Sequence, residues 1–130
     1  MPSLPSFLIV AIGGAFGSAF RYMFGTWVQA FSRSLDFPYG TLVVNLLGCF
    51  VIGFLAQLAE TRGAFTSESR LFVFVGILGG FTTFSSFGNE TLNLARDSQM
   101  INALANIGAN VILGLFAVWL GRTVSYLIWR

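Results

Sequence analysis

Hydrophobic residues gather into four long runs along the chain, and short polar segments separate them. The runs cover approximately residues 6–31, 39–60, 70–95 and 99–129. Because about 20 apolar residues in a helix cross the hydrocarbon core of a bilayer, each run is long enough to span a membrane. The pattern predicts an all-α membrane protein in which one domain, residues 1–130, holds four transmembrane helices.

The composition supports a membrane protein and argues against several other classes. The chain is 55% hydrophobic and 9% charged, which is far more apolar than a typical soluble domain. Its 7 basic and 5 acidic residues leave a net charge of +2, too small and scattered to predict nucleic-acid binding. With no histidine and Cys49 as the one cysteine, the chain lacks the usual general base and the usual metal ligands. We therefore expect a protein that is not an enzyme and that contacts membrane lipid.

The third run contains a stretch that is unsuited to a simple membrane helix. Residues 79–90 read GGFTTFSSFGNE, so two glycines, four hydroxyl residues and the ionisable Glu90 fall inside the span. Glycine weakens a helix, and serine and threonine compete for its backbone hydrogen bonds. We predict that the third helix is broken near its middle, at about Gly79–Thr83. A break there frees carbonyl groups that a cation, water or a side chain must satisfy.

Small and polar residues also recur at four-residue steps in the other spans. They are Gly13 and Gly17 in the first, Thr41, Asn45, Cys49 and Gly53 in the second, and Asn102, Asn106, Asn110 and Gly114 in the fourth. The glycines predict close helix packing. The amide stripes fit either a seam of interhelical hydrogen bonds or the wall of a polar pathway, because lipid cannot satisfy an amide. Arg21, in the first span, fits either a side chain that reaches the membrane interface or an attractor of anions.

Arginine residues give little indication of which way the chain faces. Four spans place both termini on one side of the membrane, with Arg62, Arg70, Arg122 and Arg130 on that side and Arg33 and Arg96 on the other. So weak a bias permits insertion in both orientations. Insertion in both orientations, or dual topology, makes an antiparallel homodimer possible, and four helices of this length hardly enclose a hydrated path alone.

These motifs together resemble one known family. The run GGFTTFSSF at 79–87 with Glu90 after it, the segment GTLVVNL at 40–46, and the early Gly13-Gly14, Gly17-Ser18 and Arg21 pattern closely resemble the Fluc (CrcB) fluoride channels of prokaryotes. The resemblance covers the whole chain. It implies passive export of fluoride across the cytoplasmic (inner) membrane, protection against fluoride toxicity, an antiparallel homodimer with two pores, and a structural sodium ion at the dimer centre.

The resemblance also implies roles for individual residues. Asn45, Phe84 and Phe87 match the family's pore asparagine and its two fluoride-contacting phenylalanines, and Thr83 and Ser85 lie beside them. The sodium ion is expected on the carbonyl groups of Gly79 and Thr82. Pore-margin or structural polar roles are expected for Arg21, Ser86, Glu90 and Asn106.

One departure from the family concerns the last helix. Where a serine and a threonine are expected beside the pore, this chain has Gly114 and Val118. Asn110, one turn earlier, is the candidate for the missing hydrogen-bond donor.

A fluoride pathway of this kind is physically coherent. Fluoride is strongly hydrated, so neutral amide and hydroxyl donors must replace its water without holding it too tightly. The positive edge of a phenyl ring can contact an anion as well. Two alternatives remain: a small four-helix multidrug or cation exporter, which needs a membrane-embedded acid that the first span lacks, and a structural membrane subunit, which predicts no ion flux.

Overall fold

The computed structural model describes all 130 residues and contains only helices and connectors. The helices are α1 (Leu4–Ser32), α2 (Tyr39–Arg62), α3 (67–81), α4 (Phe84–Arg96) and α5 (Met100–Ile128). Helices α3 and α4 together form the third span, Ser67–Arg96, so four helices are long and apolar enough to cross a membrane. The prediction of an all-α, multi-pass membrane protein is confirmed.

Local capping groups set where the first two helices begin and end. The Ser3 side chain accepts a hydrogen bond from the Ser6 N–H at 3.3 Å, so α1 begins at Leu4, slightly earlier than predicted. Both helices end on a residue in the left-handed conformation, Arg33 at φ 54° and Gly63 at φ 57°. That conformation turns the chain away from the helix axis and satisfies one of the last carbonyl groups.

The connector between α1 and α2 is held by the side chain of Gln29. Its Nε2 donates to the carbonyl oxygens of Ser34 at 2.8 Å and Phe37 at 3.1 Å. Its Oε1 accepts from the Gly40 N–H at 2.9 Å. Because Pro38 precedes α2 without a side-chain cap, Gln29 supplies a partner that the first turn of α2 otherwise lacks.

Glycine residues bring α1 into backbone contact with α3. A Cβ atom placed on Gly17 would overlap the carbonyl of Ile77, and one on Gly80 would press on the backbone of Gly14. Gly13 and Gly76 face each other in the same way. The predicted close packing of the α1 glycines is confirmed, and any larger side chain here would separate the two helices.

Helix α2 packs most extensively against the second half of α5. Gly53 lies against the backbone of Val118, and Gly121 lies against the backbone of Phe50 and Phe54. At the end of this pair Arg122 forms a salt bridge with Glu60 at 2.9 Å. Both side chains are exposed, so the ion pair contributes little to stability and the glycine contacts determine the packing.

The buried core is small, and most large apolar side chains lie on the outside of the helices. The buried apolar residues are Leu42, Val44, Ala59, Leu78, Phe87, Leu94 and Ala103. An outer surface of this kind suits hydrocarbon, which cannot satisfy polar groups. Of the buried polar side chains, Thr83 and Asn106 lie where α2, α4 and α5 meet.

Candidate functional site

The site is organised around two residues with extended backbone, Thr82 and Thr83, between α3 and α4. Their φ and ψ angles are −84° and 156°, and −148° and 119°, respectively. Thr83 caps α4, because its Oγ1 accepts from the Ser86 N–H at 3.2 Å. Both residues fall within the glycine- and hydroxyl-rich stretch at 79–90.

Asn45 of α2 satisfies the backbone of Thr83 on both sides. Its Oδ1 accepts from the Thr83 N–H at 2.9 Å, and its Nδ2 donates to the Thr83 carbonyl at 3.2 Å. In a continuous α-helix that N–H would bond to the carbonyl of Gly79, four residues earlier. The Asn45 amide therefore takes the place of helical hydrogen bonding at this point.

A series of hydrogen bonds continues from Asn45 into α5 and back to α4. The Asn45 Nδ2 also donates to Asn110 Oδ1 at 3.0 Å, and Asn110 Nδ2 donates to the Oδ1 and the backbone carbonyl of Asn106 at 3.0 and 2.9 Å. Asn106 Nδ2 then donates to Thr91 Oγ1 at 2.9 Å, and Thr91 donates to the Phe87 carbonyl at 2.7 Å. We call these four side chains, of residues 45, 110, 106 and 91, the amide relay.

A cavity of about 380 Å³ lies beside the amide relay. Asn45, Asn110 and the two aromatic rings of Phe84 and Phe87 contribute to its wall. The ring centroids are 5.4 Å apart and the ring planes make an angle of 58°. Phe87 is buried at 8% exposure, whereas Phe84 is 82% exposed. Within one subunit, therefore, only Phe87 is enclosed by the fold.

The cavity is bordered by two stretches of wider, π-helical turns. They are Leu71–Leu78 within α3 and Ala109–Leu113 within α5, and each contributes side chains to the wall. Such turns are rare in proteins, and where they occur they often lie at functional sites. In α5 the π-helical stretch contains Asn110, so it helps to determine where that amide lies.

A second, polar depression of about 900 Å³ opens between α1, the first connector and α4, and we call it the vestibule. Its wall includes Arg21, Thr41, Ser86 and Glu90. Glu90 Oε1 accepts from Thr41 Oγ1 at 2.6 Å, while the buried Glu90 Oε2 has no protein partner. Thr83 contributes to the wall of both the vestibule and the cavity. The two spaces therefore approach each other at the extended backbone.

Comparison with known proteins decides the family. A family model described as "CrcB-like protein, Camphor Resistance (CrcB)" matches residues 8–122. The chain belongs to the CrcB family. Three relatives are named "Fluoride-specific ion channel FluC". The Elusimicrobium minutum protein is 45% identical over 128 residues, which cover 98% of this chain and 99% of the relative. Those of Parabacteroides distasonis and Thermus thermophilus are 49% and 48% identical over 115 residues, covering 88% of this chain and 88% and 89% of the relatives, respectively.

The structure of this CrcB family member brings most of the predicted site residues together. Asn45, Asn110, Phe84, Phe87, Gly79 and Thr82 line the cavity, Arg21, Ser86 and Glu90 line the vestibule, and Thr83 lines both. Ser85 lines neither space, but its hydroxyl lies 3.4 Å from Thr83 Oγ1. Asn106 is 1% exposed and lies behind Asn110.

Two residues of the site were not among the candidates from the sequence. Thr41 is the hydrogen-bond partner of Glu90, and Thr91 joins Asn106 to the Phe87 carbonyl. Thr41 stands four residues before Asn45 on one helical stripe, which placed it near the site but not against Glu90. Thr91 belongs to none of the motifs or periodic stripes in the sequence.

Gly114, one of the two positions that depart from the family pattern, faces Cys49. A Cβ atom built on Gly114 would lie 3.6 Å from Cys49 Sγ, which is ordinary contact. Because residue 114 is small, Cys49 of α2 lies directly against α5 at this level. The amide nearest to Asn45 on α5 belongs to Asn110.

Proposed function

We propose that the protein is a fluoride-selective channel that lets fluoride leave the cell passively across the cytoplasmic membrane and so protects against fluoride toxicity. The observation that supports this proposal best is the meeting, at Thr83, of the polar vestibule and the cavity walled by Asn45, Phe84 and Phe87. The names of the full-length relatives point to the same ion. No chemical step is involved, so the protein acts as a channel and not as an enzyme.

In this proposal fluoride enters through the vestibule and loses its water to protein groups. Arg21 attracts the anion, and the hydroxyls of Ser86 and Thr83 are neutral donors that can replace water. Asn45 offers an amide N–H at the next level, and the ring edges of Phe84 and Phe87 complete the contacts. Because each donor is neutral, the ion is bound strongly enough to enter and weakly enough to leave.

The working unit in this proposal is an antiparallel, dual-topology homodimer. The exposed ring of Phe84 supports it, since a large aromatic side chain at 82% exposure beside the cavity suits contact with a second subunit. A reporter fused to the C-terminus tests the topology. Equal populations on both sides of the membrane are expected, and a reporter found on one side only would contradict dual topology.

A structural sodium ion on the carbonyls of Gly79 and Thr82 belongs to the same proposal. The geometry fits, because the N–H that would bond to the Gly79 carbonyl in a continuous helix is bonded to Asn45 Oδ1. Carbonyl oxygens are suitable ligands for a hard cation. Replacing sodium by a large organic cation is expected to lower the thermal stability of the purified dimer. Equal stability in both salts would argue against the sodium site.

The decisive experiment measures fluoride efflux from liposomes that contain the purified protein, beside chloride efflux. We expect rapid release of fluoride, little release of chloride, and loss of fluoride release in Asn45→Ala and Phe84→Ala. Phe7→Ala is the matched control, because Phe7 is also exposed, at 65%, but lies near the start of α1. Folded wild-type protein without fluoride release would favour the structural-subunit alternative. The exporter alternative lacks support, since α1 contains no acidic residue.

A further inference from the structure

The direction of hydrogen bonding along the amide relay is fixed at its first member, Asn45. The Thr83 backbone N–H can only donate, so Asn45 must present its oxygen there, at 2.9 Å. Both N–H groups of Asn45 are then used, one on the Thr83 carbonyl and one on Asn110 Oδ1. In the structure Asn45 has no N–H left for an anion.

The direction is fixed at the far end as well. Backbone carbonyls of Asn106 and Phe87 can only accept, and they accept from Asn110 Nδ2 and Thr91 Oγ1, respectively. Asn110 therefore directs both N–H groups toward Asn106 and its oxygen toward Asn45. If Asn110 alone were flipped, its N–H groups would face the N–H of Asn45 and its oxygen would face the oxygens of Asn106.

We propose that Asn110 Oδ1 competes with the permeating anion for the Asn45 N–H and so limits how tightly the site holds it. The inference rests on the proposed fluoride function and adds a positioning residue to it. The competing oxygen lies 3.0 Å from Asn45 Nδ2, at the wall of the cavity. An anion that reaches Asn45 must replace this hydrogen bond before it gains its own.

Competition of this kind suits a channel. A fully free amide N–H would form a strong, charge-assisted hydrogen bond with a small anion and hold it. Conduction requires binding that is weak enough for the ion to leave. The neutral oxygen of Asn110 restores the Asn45 hydrogen bond whenever the ion moves on, so neither state leaves a buried donor unsatisfied.

The competing role and a direct donor role for Asn110 predict opposite effects of the same substitution. If Asn110 donated to fluoride, as the sequence pattern suggested, its removal would weaken fluoride binding. If its oxygen competes, its removal strengthens binding. A direct donor role also requires Asn110 to break both of its bonds to Asn106.

The test measures the fluoride concentration that half-saturates the purified protein, obtained by fitting how the thermal midpoint rises with fluoride concentration, with chloride at equal ionic strength as reference. In Asn110→Ala we expect this concentration to fall by about three- to tenfold, the scale of one exchanged hydrogen bond. In Asn110→Asp we expect a rise of about tenfold or more, because a carboxylate accepts more strongly and repels the anion.

The matched control is Asn102→Ala, on the same stripe of α5. Asn102 donates to Gln99 Oε1 at 2.8 Å and lies outside the amide relay, so the half-saturating fluoride concentration of this variant should stay within about twofold of wild type. Asn110→Ser, whose side chain is too short to span to Asn45, provides the same comparison if the alanine variant does not fold.

The outcomes separate this inference from the proposed function. If the wild-type protein releases fluoride but the half-saturating fluoride concentration is unchanged or higher in Asn110→Ala and Asn110→Ser, the competing role alone is overturned. A wild-type protein that neither binds nor releases fluoride would overturn both. A general loss of stability cannot imitate the expected result, because damage to the fold does not make a site bind more tightly.

Discussion

The hydroxyl of Thr41 donates to Glu90 Oε1 over 2.6 Å and joins α2 to α4. The other carboxylate oxygen, Oε2, is buried and has no protein partner. Thr41 is thus the one side chain that hydrogen-bonds this ionisable group within the third span.

Thr41→Val should destabilise the protein by about 1–3 kcal/mol, since it removes the hydrogen bond to the part-buried Glu90 carboxylate while keeping the side-chain shape. The thermal midpoint of the purified protein measures this change. Thr41→Ser is the control, because it retains the hydroxyl and should stay close to wild type. A valine variant as stable as the serine variant would show that the contact contributes nothing.

The two phenylalanines of the cavity should respond differently to truncation. Phe87→Ala should lower the free energy of unfolding by about 3–5 kcal/mol, as expected for a buried aromatic ring. Phe84→Ala should lower it by less, because within one subunit the ring is 82% exposed and only its contact with the proposed second subunit is lost. Denaturant titration compares the two variants, and similar losses in both would contradict the difference in burial.

Glycine-to-alanine substitutions should have opposite signs at Gly17 and Gly88. Gly17→Ala places a Cβ on the carbonyl of Ile77, so it should destabilise the protein by about 1–3 kcal/mol. At Gly88, in α4, nothing lies within 4 Å of the new atom, and alanine should stabilise the helix by about 0.5–1 kcal/mol. Thermal midpoints of both variants test the backbone contact between α1 and α3, and a harmless Gly17→Ala would refute it.

Cys49 offers a chemical test of the cavity as a permeation path. It is the one cysteine of the chain and contributes to the cavity wall. A small charged thiol reagent should therefore reduce fluoride efflux strongly in wild-type protein and leave Cys49→Ser unaffected. Mass spectrometry checks the extent of modification. Complete labelling of Cys49 with unchanged efflux would place the path elsewhere.

The four spans could be predicted because their signal is local. A run of apolar residues of sufficient length specifies a membrane helix without reference to the rest of the chain. The helix ends were less certain, since they depend on single capping groups. Ser3 moves the start of α1 to Leu4, and Thr66, whose Oγ1 accepts from the Ser69 N–H, lets the third span begin at Ser67.

The partners within the site could not be predicted in the same way. Periodicity placed Asn45 and Asn110 on polar stripes, but which atoms face each other depends on the rotation and register of α2 and α5. The Thr83 backbone N–H decides the orientation of the whole amide relay. That N–H lacks its helical acceptor only because of the extended backbone at this point, so the direction of Asn110 follows from tertiary structure.

The contact between α1 and α3 has a consequence for biogenesis. Gly13 and Gly17 meet the backbone at Gly76 and Ile77, which the ribosome makes only after the whole of α2. Until then the glycine face of α1 is covered by lipid tails, which cannot match the fit of a facing backbone. The first helix thus enters the membrane before its partner is made, and translation that stops after α2 leaves α1 without its main packing partner.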